Sequence, residues 1–594
     1  MSYRTILKGR YLLVAPVLAL LLAMACGGED PTATTAPEAT MAPEATMAPE
    51  ATMAPEATPV PTAAPTTAPV EAPDAMMPKL GGKLTVALNS FGNEDMNPNN
   101  AGKIYGLAIG AHAADFMMGI EEDNTLTNAW GWSESWEQIA GDTWDFHIRQ
   151  NMVDHDGVEV TAEDCVWITH HWATDLANQP GGAISPGWQR QIFKSSEALD
   201  KYHCRVYTKQ DYAFMWNIIP PIGGADLYAW PERGWVDLAG GDVDRFDEVG
   251  APMTGFVDYI EREVGNYVRH ERFEDYYADE EFHFKFREME VIVASEDAPR
   301  LALVASGKAD LANSSGPYVE EIREQGMRVD GPENVDVVYL SLYETQDPNH
   351  CTSKVEVRKA MNLAVDQEAV VNGIWAPGTA TRAISPFSTF YDESHNPLLQ
   401  PYPYDPDEAR RLLEEAGCAG FEFEGFGYSW AAGPEMADMV DAVVTYLQGV
   451  GINARYTPLD WTANVDKVNA GQMSSEYTIA SGGAHWQLAA RNFGEKIRVH
   501  GLCRSHGGGV CNLDDQEYWE DVYLSYAAMT DKEARIKFAQ EKAKELYDGY
   551  FGVPIALRSG IWAINANTIC GEWHPIDGTP SHVMFNTLIP CETS

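Results

Sequence analysis

"DTWDFHIRQNMVDHDGVEVTAEDCVWITHHWAT", residues 142–174, carries three consecutive signals of secondary structure. From Trp144 to Ile148, apolar and polar residues alternate, which is typical of a strand with one buried face. The Asp-Gly step that ends at Gly157 predicts a turn, because glycine tolerates the backbone angles that tight turns need. Thr161 fits the N-cap of a helix whose first turn is acidic. The stretch therefore predicts a strand, a turn and a helix in that order.

The same kinds of segment recur along the chain. Residues 81–88 have the alternation of a strand after a Gly-Gly break. Residues 405–417 begin with Asp405, a good N-cap, and end at a glycine, so they predict a capped helix. Residues 531–557 predict a long amphipathic helix and a short apolar strand. Alternating helices and strands indicate an α/β fold.

The first 25 residues have the three parts of a secretory signal peptide. A basic start is followed by an apolar stretch from Tyr11 to Ala25. That stretch suits a signal peptide and is short for a bilayer span, which needs about 20 apolar residues. Small residues flank Cys26, and the pattern resembles the bacterial lipobox, whose cysteine is acylated. Cleavage by an ordinary signal peptidase near Ala25, with Cys26 incidental, is the alternative.

Residues 26–78 predict a tether between this cysteine and the folded body. They repeat "PEATMA" with a period of six and contain no aromatic residue. Such a composition cannot bury enough apolar surface to offset its ordering entropy, so we expect a disordered, Pro-stiffened linker. Acyl chains on Cys26 would hold the protein at a membrane without a transmembrane helix.

Charge and cysteine content restrict the class of protein. The net charge is −47, spread along the body, which argues against nucleic-acid binding. Besides Cys26 there are eight cysteines, an even number that predicts disulfides in an exported chain. The best pairs by position are Cys503 with Cys511, and Cys570 with Cys591. Without a CxxC motif, a zinc ribbon is not expected, and we expect no metal site.

Several blocks resemble, in order, the extracellular solute-binding family 5, which serves ABC importers of peptides, nickel and some sugars. "WDFHIRQNMVDHDGVEVTAEDCVW" is similar to the family's aromatic strand, "F-H-D-G" turn and "T-A-E-D-V" helix. Here Asp154 replaces the usual Phe and Cys165 the usual Val. "APRLALVASGKADLA" and "VRKAMNLAVDQEAVV" match further blocks, and the ordered set covers most of residues 81–570.

The resemblance implies a periplasmic-binding-protein-like α/β fold with two lobes, a hinge and three domains. A solute would be enclosed between the lobes, which close about the hinge. The implied partition is domain I at 79–118, 251–337 and 553–594, domain II at 119–250, and domain III at 338–552.

Solute contacts in this family come from loops that face the cleft. Three stretches are expected to do so here, at 89–97, 428–436 and 480–493. The candidate ligand-binding residues in them are Asn89, Phe91, Trp430, His485, Trp486 and Arg491.

The class of solute has two main candidates, a peptide and an oligosaccharide. Peptide-binding members carry, in the last of the three stretches, an aspartate that receives the peptide's amino terminus. Here no aspartate lies between Asp466 and Asp514. Aromatic rings that stack on sugars, together with small polar groups, suit an oligosaccharide. A nickel chelate is a third option.

An enzyme is the alternative from another class, because paired carboxylates such as Asp514 and Asp515 could serve a secreted glycosidase. Adjacent carboxylates on a helix diverge, and the motifs G-x-S-x-G, HExxH and P-loop are absent from the sequence. We therefore expect no catalytic residues and no cofactor. The function predicted is that of a monomeric, lipid-anchored receptor outside the cytoplasmic membrane, delivering its solute to ABC permease subunits.

Overall fold

The structure is a computed structural model. It describes residues 80–91, 112–121, 125–174, 192–213, 215, 228–233, 252–331, 333, 336–343, 345–389, 393–428, 433, 435–459, 463–464, 467, 480–488, 492–503, 510–573 and 585–591. The predicted signal peptide, Cys26 and the linker at 26–78 lie outside these ranges. In the described part, no helix combines the length and the hydropathy that a membrane span requires.

Sheet one has seven strands and mixes parallel and antiparallel neighbours, in the order β10-β11-β12-β1-β13-β21-β14. The central strand β1 runs parallel to both β12 and β13. As the sequence predicts, 81–88 is a strand, and helices α2 (Asp297–Ala305) and α3 (Val319–Glu324) pack with it in one apolar cluster. The strands are β1 (Gly81–Leu88), β10 (Val257–Glu263), β11 (Tyr267–Arg272), β12 (Phe286–Val293), β13 (Leu311–Ser314), β14 (Arg328–Asp330) and β21 (Ile561–Ile564).

Sheet two is antiparallel, with the order β5-β6-β8-β7, and helix α1 (Ala162–Thr174) packs against it. The predicted strand and helix of residues 142–174 are both confirmed. Thr161 caps the helix reciprocally: its N–H donates to Asp164 Oδ2 at 2.8 Å, and its hydroxyl accepts from the N–H of Glu163. The strands are β5 (Ser133–Ala140), β6 (Thr143–Ile148), β7 (Phe193–Asp200) and β8 (His203–Thr208).

Sheet three has six strands in the order β16-β20-β15-β19-β17-β18. Its strands are β15 (Asp336–Leu342), β16 (Ala380–Arg382), β17 (Glu422–Tyr428), β18 (Asn453–Leu459), β19 (Ala480–Leu488) and β20 (Val553–Arg558). Four helices share an apolar core with this sheet: α4 (Val355–Leu363), α5 (Gln367–Ile374), α6 (Pro406–Glu415) and α7 (Met436–Gly449). The capped helix predicted at 405–417 is α6, since Asp405 accepts from the N–H of Glu408.

Shorter elements complete the described part. Helix α8 (Phe493–Lys496) continues into a π-helix (Ile497–Gly501), and α9 (Gln516–Ala528) and α10 (Lys532–Asp548) follow. Three strand pairs are β2 (Asp115–Phe116) with β9 (Tyr228–Ala229), β3 (Gly119–Ile120) with β4 (Leu126–Thr127), and β22 (Ile569–Cys570) with β23 (Ile589–Pro590). The 3₁₀ turns are Glu280–Phe282, Gly316–Tyr318, Cys351–Ser353 and Phe585–Thr587.

Sheets one and three are joined where β14 precedes β15 and where β20 precedes β21. Gly331, in the connection from β14 to β15, lies very close to Gly560, in the connection from β20 to β21. A Cβ on Gly331 would overlap the carbonyl oxygen of Gly560. Beside them, Arg558 Nη2 and Asp336 Oδ2 form a buried ion pair at 2.7 Å. We call the part built on sheets one and two the first lobe and the part built on sheet three the second lobe. The residue bounds of the three predicted domains stay a prediction.

Four disulfides tie the described elements together. They join Cys165 to Cys204, Cys351 to Cys418, Cys503 to Cys511, and Cys570 to Cys591. The last two are the pairs favoured by position in the sequence. The first links α1 to β8, so the cysteine that departs from the family pattern at position 165 fastens the helix onto its sheet.

Candidate functional site

The parallel strands of sheet one end beside the second lobe. Asn89, directly after β1, exchanges two hydrogen bonds with Asn313 of β13: its N–H donates to Asn313 Oδ1 at 3.1 Å, and Asn313 Nδ2 donates to its Oδ1 at 3.0 Å. Phe91 is 2% exposed and belongs to the main apolar cluster. Of these two sequence candidates, therefore, Asn89 lies at a polar strand end and Phe91 packs in a core.

A first contact between the lobes lies at the carboxyl end of β13. Gly316 follows that strand, and its N–H donates to Glu435 Oε1 at 3.4 Å. Glu435 directly precedes helix α7, which follows β17 in the second lobe. Carboxyl ends of parallel strands are the usual place for ligands in α/β proteins. The seam between Gly316 and Glu435 is thus a candidate solute site.

A second contact joins sheet two to helices α8 and α9; α8 continues into the π-helix, whose His500 contacts Tyr339 of β15 in the second lobe. The hydroxyl of Tyr212 donates to Glu495 Oε1 at 3.2 Å, and the N–H of Ala213 donates to the carbonyl of Ala527 at 2.7 Å. Glu495 is also paired with Arg498, whose Nη2 lies 2.5 Å from Oε2. Burial, with Tyr523 and Glu495 nearby, raises the pKa of Tyr212 well above its ordinary value, so this hydroxyl keeps its proton.

His485 lies in a buried network of the second lobe. It belongs to strand β19, and its Nε2 is 2.8 Å from the hydroxyl of Tyr343. The neighbouring His500 Nδ1 lies 2.6 Å from the hydroxyl of Tyr339. Burial lowers the pKa of His485 to about 4, so the imidazole is neutral at physiological pH. The structure has a strand here, where the sequence predicted a loop.

The remaining candidates are only partly described. Trp486 lies in β19 opposite Val338 of β15, and its side chain is outside the described residues. Trp430 and Arg491 also lie outside them. Contact of any of the six candidates with a solute stays a prediction.

Three residues at the contacts between the lobes were missed by the sequence analysis: Tyr212, Glu435 and Glu495. The sequence held a signal for one of them, since "GPEMADMV" puts a carboxylate at the start of a helix. The sequence held no signal for Tyr212 and Glu495, because these two residues contact each other across 283 positions of the chain. In the described part, no group of three or more His, Cys, Asp or Glu residues could hold a metal ion.

Comparison with known proteins supports one family. Residues 130–487, more than half of the chain, match the model of "Bacterial extracellular solute-binding proteins, family 5 Middle". Heme-binding protein A of Haemophilus influenzae is 25% identical over 386 residues, which are 58% of this chain and 64% of that protein. The glutathione-binding protein GsiB of Salmonella paratyphi A is 24% identical over 438 residues, covering 70% of this chain and 78% of that protein.

Solved structures share the fold. The periplasmic binding protein DppA of Helicobacter pylori, in complex with the peptide STSA, superposes with a TM-score of 0.72 at 17% identity and covers 86% of this chain and 98% of its own. The binding protein AgaA of A. tumefaciens, in complex with agropinic acid, gives a TM-score of 0.71 at 17% identity, with 86% and 99% coverage. The predicted periplasmic-binding-protein fold is therefore confirmed, and this chain belongs to the bacterial extracellular solute-binding proteins of family 5.

Proposed function

We propose that this protein is the solute receptor of an ABC importer, which captures a peptide or a similar small solute between its lobes and delivers it to a membrane permease. Family membership supports a solute-binding role, and members of the family are binding proteins rather than enzymes. The observation that carries the proposal is the seam at Gly316 and Glu435, where strand ends of one lobe contact a helix start of the other.

The mechanism follows from the contacts between the lobes. A solute at the seam touches both lobes only when they are closed, so its binding free energy favours the closed form. Specificity then comes from buried polar groups, which are left unpaired when the wrong solute enters. No chemical change of the solute is required.

A peptide-like solute is favoured by the relatives. Their names describe proteins that bind glutathione, heme and di- or tripeptides. An oligosaccharide remains the rival that the abundance of aromatic residues suggests. A thermal-shift screen with peptides, di- to tetrasaccharides and metal chelates separates these classes, since a solute at a hundredfold excess over its Kd stabilises the folded chain by about 2.7 kcal/mol.

Substitution of the two candidate tryptophans tests where the solute binds. Trp430→Ala and Trp486→Ala should weaken binding of the solute found by the screen and leave the melting temperature of the solute-free protein nearly unchanged. Trp136→Ala in sheet two is the control. Normal binding by both variants would remove these residues from the site, and conversion of the solute into a product by the purified protein would show an enzyme instead.

We further propose that Cys26 carries the lipid that holds a monomeric receptor at the outer face of the cytoplasmic membrane. The lipobox-like pattern and the Pro-rich repeat support this. Cells that express the chain should incorporate labelled fatty acid into it, and Cys26→Ser should abolish the label and release the protein from membranes. Equal labelling of the variant would contradict the anchor.

A further inference from the structure

Glu435 is buried at the seam with one carboxylate oxygen unused. The residue is 5% exposed, and its Oε1 accepts the long hydrogen bond from Gly316. Its Oε2 is buried and has no hydrogen-bond partner among the residues that the structure describes. A buried carboxylate oxygen without a partner is costly, so it marks a place where another group fits.

A donor without a partner lies at the same place. Trp375 Nε1 is buried and, among the described residues, is not hydrogen-bonded. The indole borders Gly316, since a Cβ on that glycine would lie 3.4 Å from Trp375 Cδ1 and 3.0 Å from Thr379 Oγ1. The seam therefore presents an unpaired acceptor and an unpaired donor around one glycine.

The charges around Glu435 compensate its carboxylate only in part. Arg558 is the cation that acts on it, and that guanidinium is already paired with Asp336 at 2.7 Å. Asp297 of α2 adds negative charge from the first lobe, although it is itself paired with Arg300 at 2.6 Å. Burial is the largest cause that raises the pKa of Glu435 above its ordinary value.

We infer that Glu435 receives a positively charged nitrogen group of the solute, an ammonium or a guanidinium, when the lobes close. This rests on the proposed function and narrows it to cationic solutes. A positive group would pair with Oε2 and repay the burial of the carboxylate. Without such a positive group, closure of the lobes would bury the unpaired charge of Glu435, or this carboxylate would have to take up a proton.

The test uses two tripeptide mixtures built only from amino acids with uncharged side chains, one with free amino termini and one N-acetylated. Calorimetric titration of the full chain at pH 7 should show clear binding of the free mixture and weak binding of the acetylated one. Glu435→Gln should lower affinity for the free mixture about ten- to a hundredfold, because this is the usual contribution of a hydrogen bond to a charged group. It should leave affinity for the acetylated mixture unchanged.

Asp441→Asn is the matched control, because this exposed carboxylate lies on the same helix α7. A pH series on the wild type gives a reading that does not depend on the variant's folding. Affinity for the free mixture should rise as pH increases through the titration of Glu435, since the ionised carboxylate is the form that binds a cation. Arg558 and Asp297 are the charged side chains that act on Glu435.

The outcomes separate this inference from the proposed function. Equal binding of the two mixtures, or an affinity that Glu435→Gln leaves unchanged, overturns the role of Glu435 while a peptide receptor stands. Failure to bind either mixture overturns the peptide function and this inference with it.

Discussion

At the residue scale, Asp115 is a buried acid with a perturbed titration. It is 2% exposed, its Oδ2 accepts from the hydroxyls of Tyr277 and Tyr276, and its Oδ1 accepts from the N–H of Phe116. Burial raises its pKa to about 7, and the hydrogen bonds and Arg149 only partly oppose this. The folded state therefore favours the protonated form of this carboxyl.

The prediction for Asp115 is a loss of stability with rising pH. A group whose pKa is raised by folding contributes stability that is complete below its unfolded value of 3.8 and is lost as pH rises to about 7. At about 1.4 kcal/mol per pKa unit, the wild type should lose up to roughly 4 kcal/mol across this window. Thermal melts at pH 4 to 8 should show a smaller loss for Asp115→Asn, and Asp407→Asn, an exposed site, should follow the wild type. Parallel curves for Asp115→Asn and the wild type would refute the assignment.

Two departures from the family pattern have a structural reason. Asp154 is fully buried, and its Oδ1 accepts from the N–H groups of Asp156 and Val158, while Arg233 Nε reaches its Oδ2 at 3.3 Å. Asp154 closes the turn by hydrogen bonding, at the position where the family pattern has a phenylalanine. The disulfide partner of Cys165 could not be named from the sequence, because Cys204 lies on a strand 39 residues away.

At the scale of elements, the sequence predicted regular strands and capped helices well. The strand β6 and the helices α1 and α6 follow from alternation and caps, which are local signals. Strand β19 was missed because "ASGGAHWQL" contains two glycines, and glycine usually marks a loop. In the structure they permit close packing: a Cβ at Gly483 would meet the hydroxyl of Tyr343, and one at Gly482 the carbonyl of Ser341.

The crossover glycine gives the second prediction. Gly331→Ala should force the two connections between sheets one and three apart, because the added methyl overlaps the carbonyl oxygen of Gly560. Overpacking of this kind typically costs about 1–3 kcal/mol, which denaturant unfolding would detect. Gly82→Ala is the control, since nothing lies within 4 Å of a Cβ there. Equal stability of both variants would show that the crossovers tolerate separation.

At the scale of the whole molecule, the hydrogen bond from Tyr212 to Glu495 links sheet two with helix α8, whose π-helical continuation contacts β15 of the second lobe through His500 and Tyr339. Tyr212→Phe removes this bond from the closed form and leaves a buried carboxylate oxygen short of a donor, so the open form should gain population. Solute affinity should fall about threefold to a hundredfold. This range covers the usual contributions of hydrogen bonds to neutral and to charged groups. Calorimetry measures the affinity, and small-angle scattering of the solute-free chain should give a larger radius of gyration.

Tyr207→Phe is the matched control for this change. Its hydroxyl also bonds a glutamate, Glu197, but both residues lie within sheet two. It should leave affinity and radius unchanged. If Tyr212→Phe behaves like this control, the contact does not help to hold the lobes together.

The sequence by itself determined the α/β class, the family and the order of its elements, because caps, alternation and ordered motifs depend on residues close together in the chain. Only the tertiary structure decided which polar groups meet between the lobes. Gly316 and Glu435 are 119 residues apart, and Tyr212 and Glu495 are 283 apart. Such contacts depend on how sheets separated in sequence pack in space, and burial, which sets the titration of Asp115 and Glu435, exists only after that packing has formed.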